Sequence, residues 1–101
     1  FDPESLYKAI EENKSSGLHT LVLLDIGMTA KEGAELMIRH KSVEKNSMVI
    51  ACFMLGDENQ KILYGTADNL IIRDVKDIPC CIIVPGRINF KEQEFLELWK
   101  T

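Results

Sequence analysis

Few features of this 101-residue chain are as informative as the ones it lacks. Its apolar runs, among them LVLL at 21–24 and CCIIV at 80–84, fall far short of the roughly 20 residues a membrane-spanning helix needs. Positive charge is also short: 12 Lys and Arg stand against 16 Asp and Glu, a formal net charge of −4. Without a cationic field, broad contact with nucleic acid or an anionic membrane is not expected. Cysteine occurs three times, an odd number with no paired C-x-x-C spacing, so neither a disulfide framework nor a zinc site is expected, and free thiols suit a reducing cytoplasm. There is no G-x-G-x-x-G, P-loop or H-E-x-x-H motif. The chain starts Phe1-Asp2-Pro3, with no initiator Met, basic n-region or signal-type stretch, which reads as a piece cut from a longer protein.

What is present suits one core of two packed layers: 46% hydrophobic and 28% charged residues, spread over the whole length. Asp2 before Pro3 reads as an N-cap with proline at the first helical position, and Leu6, Ala9 and Ile10 carry that helix to about Ser15. Gly17 stands where a left-handed helix stop is usual. LHTLVLLDI at 18–26 then reads as a strand buried on both faces, because alternation gives way to continuous apolar residues. Thr29 and Glu32 make a T-x-x-E capping box for a helix whose Ala30, Ala34, Met37 and Ile38 share one face. SMVIACFML at 47–55 is a second strand, and KILYGT at 61–66 follows closely enough for an antiparallel hairpin, with Gly65 as a bulge or strand end. Residues 67–76 fit either a short helix or a strand; a helix starting after Thr66 is favoured. CCIIV at 80–84 is the fourth strand, stopped by Pro85-Gly86, and Asn89 with Glu92 caps a last helix carrying Phe95, Leu96 and Trp99. The expected fold is α/β, α+β-like, with order α-β-α-β-β-α-β-α and a mixed sheet of about four strands with helices packed on it.

Several residues invite chemical readings. His19 and Asp25 have the same strand parity but lie about 20 Å apart along an extended strand, too far for a triad. His19 reads better as a hydrogen-bonding residue at the strand start. Asp25 ends what looks like a parallel-type strand, where open α/β sheets place ligands; a cap on the following helix is equally compatible. Cys80 and Cys81 are adjacent, so they point to opposite faces and read as small buried apolar residues rather than a vicinal disulfide. The acidic start and basic end of KEQEFLELWK complement a helix dipole.

The stretches LYKAIEENKSSGLHTLVLLDI (6–26), MTAKEGAELM (28–37), GDENQKILYGT (56–66) and IPCCIIVPGRINFKEQEFLELW (78–99) resemble, in this order, the C-terminal half of the diphthine synthase family, a branch of the tetrapyrrole methylases. G-L-H-T-L-x-x-L-D-I is the most specific of them. The resemblance implies a two-domain α/β methyltransferase with S-adenosylmethionine in the cleft between its domains, of which this chain, 1–101, is the second, the N-terminal domain being absent. The intact enzyme is then expected to be a cytoplasmic homodimer that methylates the amino group of the 3-amino-3-carboxypropyl histidine of elongation factor 2 to give diphthine, without a metal; the piece alone is expected to be inactive. Carried over by motif position, cofactor contacts fall on Leu24, Leu55 and Cys80, and no catalytic acid or base is assigned. The sequence departs from the family at Phe53-Met54, where Ala-Arg is usual, at Ile78-Pro79-Cys80, where Pro-Pro-His is usual, at Asn89, where His is usual, and in the single-Gly link at Gly27. A non-catalytic dimerisation or scaffold module of the same fold, or a small-molecule tetrapyrrole methylase, is the alternative.

Overall fold

The structure, a computed structural model, describes residues 3–101, so the expected N-cap Asp2 lies outside the described residues. The elements are α1 (Pro3–Ser15), β1 (Thr20–Leu23), α2 (Ala30–Arg39), β2 (Met48–Phe53), β3 (Lys61–Thr66), α3 (Ala67–Arg73), β4 (Cys80–Val84) and α4 (Phe90–Glu97), in the order expected.

Local chemistry explains most boundaries. α1 ends where Gly17 takes φ +74°, with the Leu18 and Gly17 amides donating to Asn13 O (2.7 Å) and Lys14 O (3.0 Å). This pair of bonds closes a left-handed C-terminal motif. Both capping boxes form: Thr29 and Asn89 accept from the amides of Glu32 and Glu92, whose carboxylates reach back to the cap amides. Thr66 caps α3 through the Asn69 amide, which resolves the ambiguous segment as a helix, and Asp74 ends it at φ +46°.

α2 closes with the same motif as α1, but on the wrong residue. Lys41 sits at φ +60°, its amide donating to Ile38 O at 3.0 Å while that of Ser42 donates to Met37 O at 2.8 Å. Glycine carries no Cβ penalty there, so Lys41→Gly is expected to raise stability by about 1 kcal/mol, read as a higher urea midpoint at constant slope.

The four strands form one sheet in the order β1-β4-β2-β3. Every pairing between them is antiparallel, and the parallel component is confined to a bridge between Tyr64 and Lys100, where the C-terminal residues run beside β3. The register puts Val22, Val49, Ala51, Phe53, Leu63, Ile82 and Val84 on one face. With Ile10, Ala30, Ala34, Met37, Ala67 and Leu70 of the first three helices they make the core. α4 lies against the other face, where its Phe95 and Leu96 meet Ile50 and Ile83 around a cavity.

Four expectations need correction. α4 ends at Glu97, so Trp99 and Lys100 lie beyond it and its last turn carries no basic residue; Lys100 pairs with Tyr64 of β3 instead. β1 is four residues long and alternates buried and exposed; Leu21 is 58% and Leu23 75% exposed. As an edge strand antiparallel to β4, it is covered on one face only, so continuous apolar residues here do not mean burial on both. Gly65 is no bulge but pairs in register with Val49; a Cβ there would meet Thr101 Oγ1 at 2.6 Å, so its bareness lets the C-terminus lie close. β2 stops at Phe53 rather than continuing to residue 55, because Met54 turns left-handed at φ +52°.

Candidate functional site

Antiparallel pairing brings the end of β1, the end of β2 and the start of β4 to one end of the sheet, since Leu23 stands opposite Cys81 and Phe53 opposite Cys80. Leu24, Leu55 and Cys80 therefore share that end although 56 positions separate the outermost two. Two surface cavities open there. The larger, about 330 Å³, is bounded by Leu24, Asp25, Met28, Ile78, Pro79 and Cys80 among others. The smaller, about 220 Å³, is bounded by Leu23, Cys52, Leu55, Pro79, Cys80 and Cys81. Pro79 and Cys80 are common to both, so the two cavities adjoin at the start of β4, each with mostly apolar walls.

Each wall is fixed locally. Leu24 packs on the helix glycine Gly33, where an added Cβ would sit 2.8 Å from Leu24 Cδ2. Cys80 Sγ donates to Met28 O at 3.4 Å, tying the start of β4 to the loop before α2. The Met54 amide donates to Pro79 O at 2.8 Å, just after the cis Ile78–Pro79 peptide, and the Gly56 amide donates to Gln60 Oε1 at 2.9 Å. Leu55, between these anchors, is 56% exposed. Met54, a non-glycine residue in left-handed backbone beside the cavity, is the kind of strained position that clusters at ligand sites.

Asp25 does not cap α2; Thr29 does, and Asp25 is exposed at the rim with its carbonyl accepting the Met28 amide at 2.9 Å. The strand before it is an antiparallel edge strand, not a parallel-type one, so its place at the rim comes from the turn after β1. Met28, Ile78 and Pro79 were not anticipated as lining residues. One signal was available: the T-x-x-E box fixes the start of α2 at residue 30 and leaves 24–28 beyond the strand end.

His19 is remote from this edge and is bound up in structure. Its Nδ1 accepts the Gly86 amide at 2.9 Å, and since an amide can only donate, the ring proton sits on Nε2, facing Glu92 Oε2 at 2.9 Å. The imidazole thereby joins the start of β1, the turn after β4 and the first turn of α4. Cys80 and Cys81 are each half-buried on opposite faces rather than fully buried, and only Cys52 is buried. Burial, then the neighbouring Cys81, pushes the Cys80 thiol up.

The capping carboxylates set an acid limit. The Thr29 amide and hydroxyl hold Glu32 below the usual glutamate range, and the Asn89 amide, then His19, do the same for Glu92. A carboxyl whose folded pKa is depressed adds stability above its unfolded value and loses it as pH falls through the folded one. Thermal midpoints should therefore drop below roughly pH 4.5, and Glu32→Gln with Glu92→Gln should flatten that decline while lowering the midpoint at neutral pH.

No protein-family model matches the chain. Relatives do. It is 33% identical to a diphthine synthase of Methanocaldococcus jannaschii over 94% of its own length and 42% of the relative's. It is 31% identical to one of Saccharolobus islandicus over 90% of itself and 39% of the relative. Among solved structures, a protein of Entamoeba histolytica assigned as a diphthine synthase superposes with a TM-score of 0.90 at 27% identity, over 96% of this chain and 44% of that one. A further diphthine synthase crystal structure, 23% identical with a TM-score of 0.84 over 92% of this chain and 39% of that one, shares the fold. The chain spans about two fifths of the length of the relatives it matches, and over that span it is a homologue of diphthine synthases.

Proposed function

We propose that the chain is the C-terminal, cofactor-cleft half of an S-adenosylmethionine-dependent methyltransferase of diphthamide biosynthesis, acting on the modified histidine of elongation factor 2. The observation that carries this reading is that Leu24 and Cys80 line one mostly apolar cavity at this end of the sheet, and Leu55 and Cys80 line the one adjoining it. Cavities of about 330 and 220 Å³ with mostly apolar walls would suit an adenine ring and the aliphatic part of the methionine arm, and Asp25 would add a carboxylate for a hydroxyl or ammonium group. When bound, S-adenosylmethionine supplies an activated methyl group for transfer to an amine.

The chain's own residues then align and dry the site. Leu24, Met28 and Ile78 would cover the apolar parts of the ligand and exclude water, and Leu55 with Cys80 would close the adjoining wall. No acid or base is assigned to this half. An edge this open would hold ligand weakly by itself, so the reading requires a second domain to complete the cleft.

Transfer of labelled methyl from S-adenosylmethionine to elongation factor 2 carrying the 3-amino-3-carboxypropyl histidine, by the protein at its full natural length, tests the reading. Incorporation at that histidine is the expected result. A folded protein that binds no cofactor and labels nothing would favour the scaffold module instead.

A further inference from the structure

Cys52 and Cys81 stand directly opposite each other on β2 and β4, the two central strands. Residues opposed in an antiparallel pair share a face, here the one that carries Leu21, Leu23 and Ile83. Both cysteines line the cavity of about 220 Å³ whose rim is the exposed Leu23 and Leu55. Cys80, adjacent in sequence to Cys81, points to the opposite face and donates a hydrogen bond to Met28 O.

The register also sets what a bond between the two sulfurs would be like. The Met54 amide bonds to Pro79 O in the same register, and because bonded and non-bonded pairs alternate, Cys52 and Cys81, two positions on, form a hydrogen-bonded pair. Such pairs hold their Cα atoms about 5.5 Å apart, inside the disulfide range of roughly 4.4–6.8 Å. Their Cβ atoms stand about 5.5 Å apart against about 3.8 Å in a relaxed disulfide, so closure must draw the strands together locally. A disulfide under that tension is readily reduced, which suits a reversible modification in a reducing compartment.

We propose that Cys52 and Cys81 are a reversible dithiol–disulfide pair, oxidised by exchange with small-molecule disulfides that enter through the cavity beside Leu23 and Leu55. Cys81, the more exposed member, loses its proton to water and attacks one sulfur of the small disulfide, forming a mixed disulfide and releasing a thiolate. That thiolate takes the Cys52 proton. The Cys52 sulfur then attacks the Cys81 sulfur, and the second small thiolate leaves and is protonated from water. Two protein thiols are oxidised, one small disulfide is reduced to two thiols, and no other reactant is needed. Cys52 is buried and Cys81 half-buried, so the incoming small disulfide meets Cys81 first and Cys52 is left to the intramolecular step. The pair does not depend on the methyltransferase reading.

The test equilibrates the chain with glutathione buffers from fully reduced to fully oxidised, quenches with acid, unfolds, alkylates and maps by mass spectrometry. The wild-type chain should pass from three alkylated thiols to one, Cys80, with a peptide linking residues 52 and 81 and no change in oligomer size. Cys80→Ser should leave that link intact. Cys81→Ser, at a half-buried position that tolerates the change, should keep both remaining thiols free or carry only a glutathione adduct. Three free thiols throughout, a stable glutathione adduct on Cys81 beside a free Cys52, or a link to Cys80 would each overturn the proposal.

Discussion

Phe53→Ala should lower unfolding stability by about 3–5 kcal/mol, a large share of the roughly 5–15 kcal/mol a domain of this size has. Phe53 is fully buried at the end of β2 and is among the largest buried side chains, with Val49, Ala51, Leu63 and Ile82 in the same cluster. Removing its ring loses the transfer energy and leaves a cavity that a close-packed sheet fills only in part. Urea unfolding should give a lower midpoint at unchanged slope, and Phe53→Leu, which keeps most of the volume, should cost less than about 1.5 kcal/mol. A loss under 1 kcal/mol for the alanine variant would mean that Phe53 is not packed as described.

Gly86→Ala is expected to cost about 3 kcal/mol, the upper end for inserting a single carbon. A Cβ at residue 86 would lie 2.2 Å from Leu18 O, 2.7 Å from Leu18 C and 3.0 Å from Gly17 C, all backbone atoms that cannot rotate away. The two loops must separate, which breaks the Gly86 amide bond to His19 and the Arg87 amide bond to Gly17 O at 3.3 Å. His19 also holds Glu92, so α4 loses its tether to the sheet. His19→Ala removes only exposed hydrogen bonds and should cost about 1 kcal/mol. Comparing the two by thermal unfolding isolates the close approach: equal losses would show that no tight backbone contact exists at Gly86.

Features carried by nearby residues were legible in the sequence. The boxes at Thr29–Glu32 and Asn89–Glu92, the stop at Gly17, the β2–β3 hairpin and the helix after Thr66 each depend on contacts within a few positions. Strand order was not legible, because β1 finds β4 across about 60 residues and no local signal encodes that choice. The exposure of Leu21 and Leu23 follows from the edge position of β1, so it was hidden for the same reason. His19 finds partners 67 and 73 positions away. The cysteines make the point most clearly: adjacency draws attention to Cys80 and Cys81, which face apart, whereas the pair that meets is Cys52 and Cys81, fixed only by the β2–β4 register. At the candidate site, the residue pattern pointed to the strand end at Asp25, while Leu24, Leu55 and Cys80 came from family resemblance. Folding brings those three to one end of the sheet because β1 and β2 end where β4 begins.

Calorimetric titration of S-adenosylhomocysteine into the protein at its full natural length tests the cofactor edge most directly. Leu55 is exposed, so Leu55→Glu should fold normally while placing a buried charge against the ligand. Micromolar or tighter binding by the wild type, weakened at least about tenfold in Leu55→Glu and in Leu24→Glu, is the expected result. A folded wild-type protein that does not bind, or variants that bind as the wild type does, would contradict the placement of the cofactor at this end of the sheet.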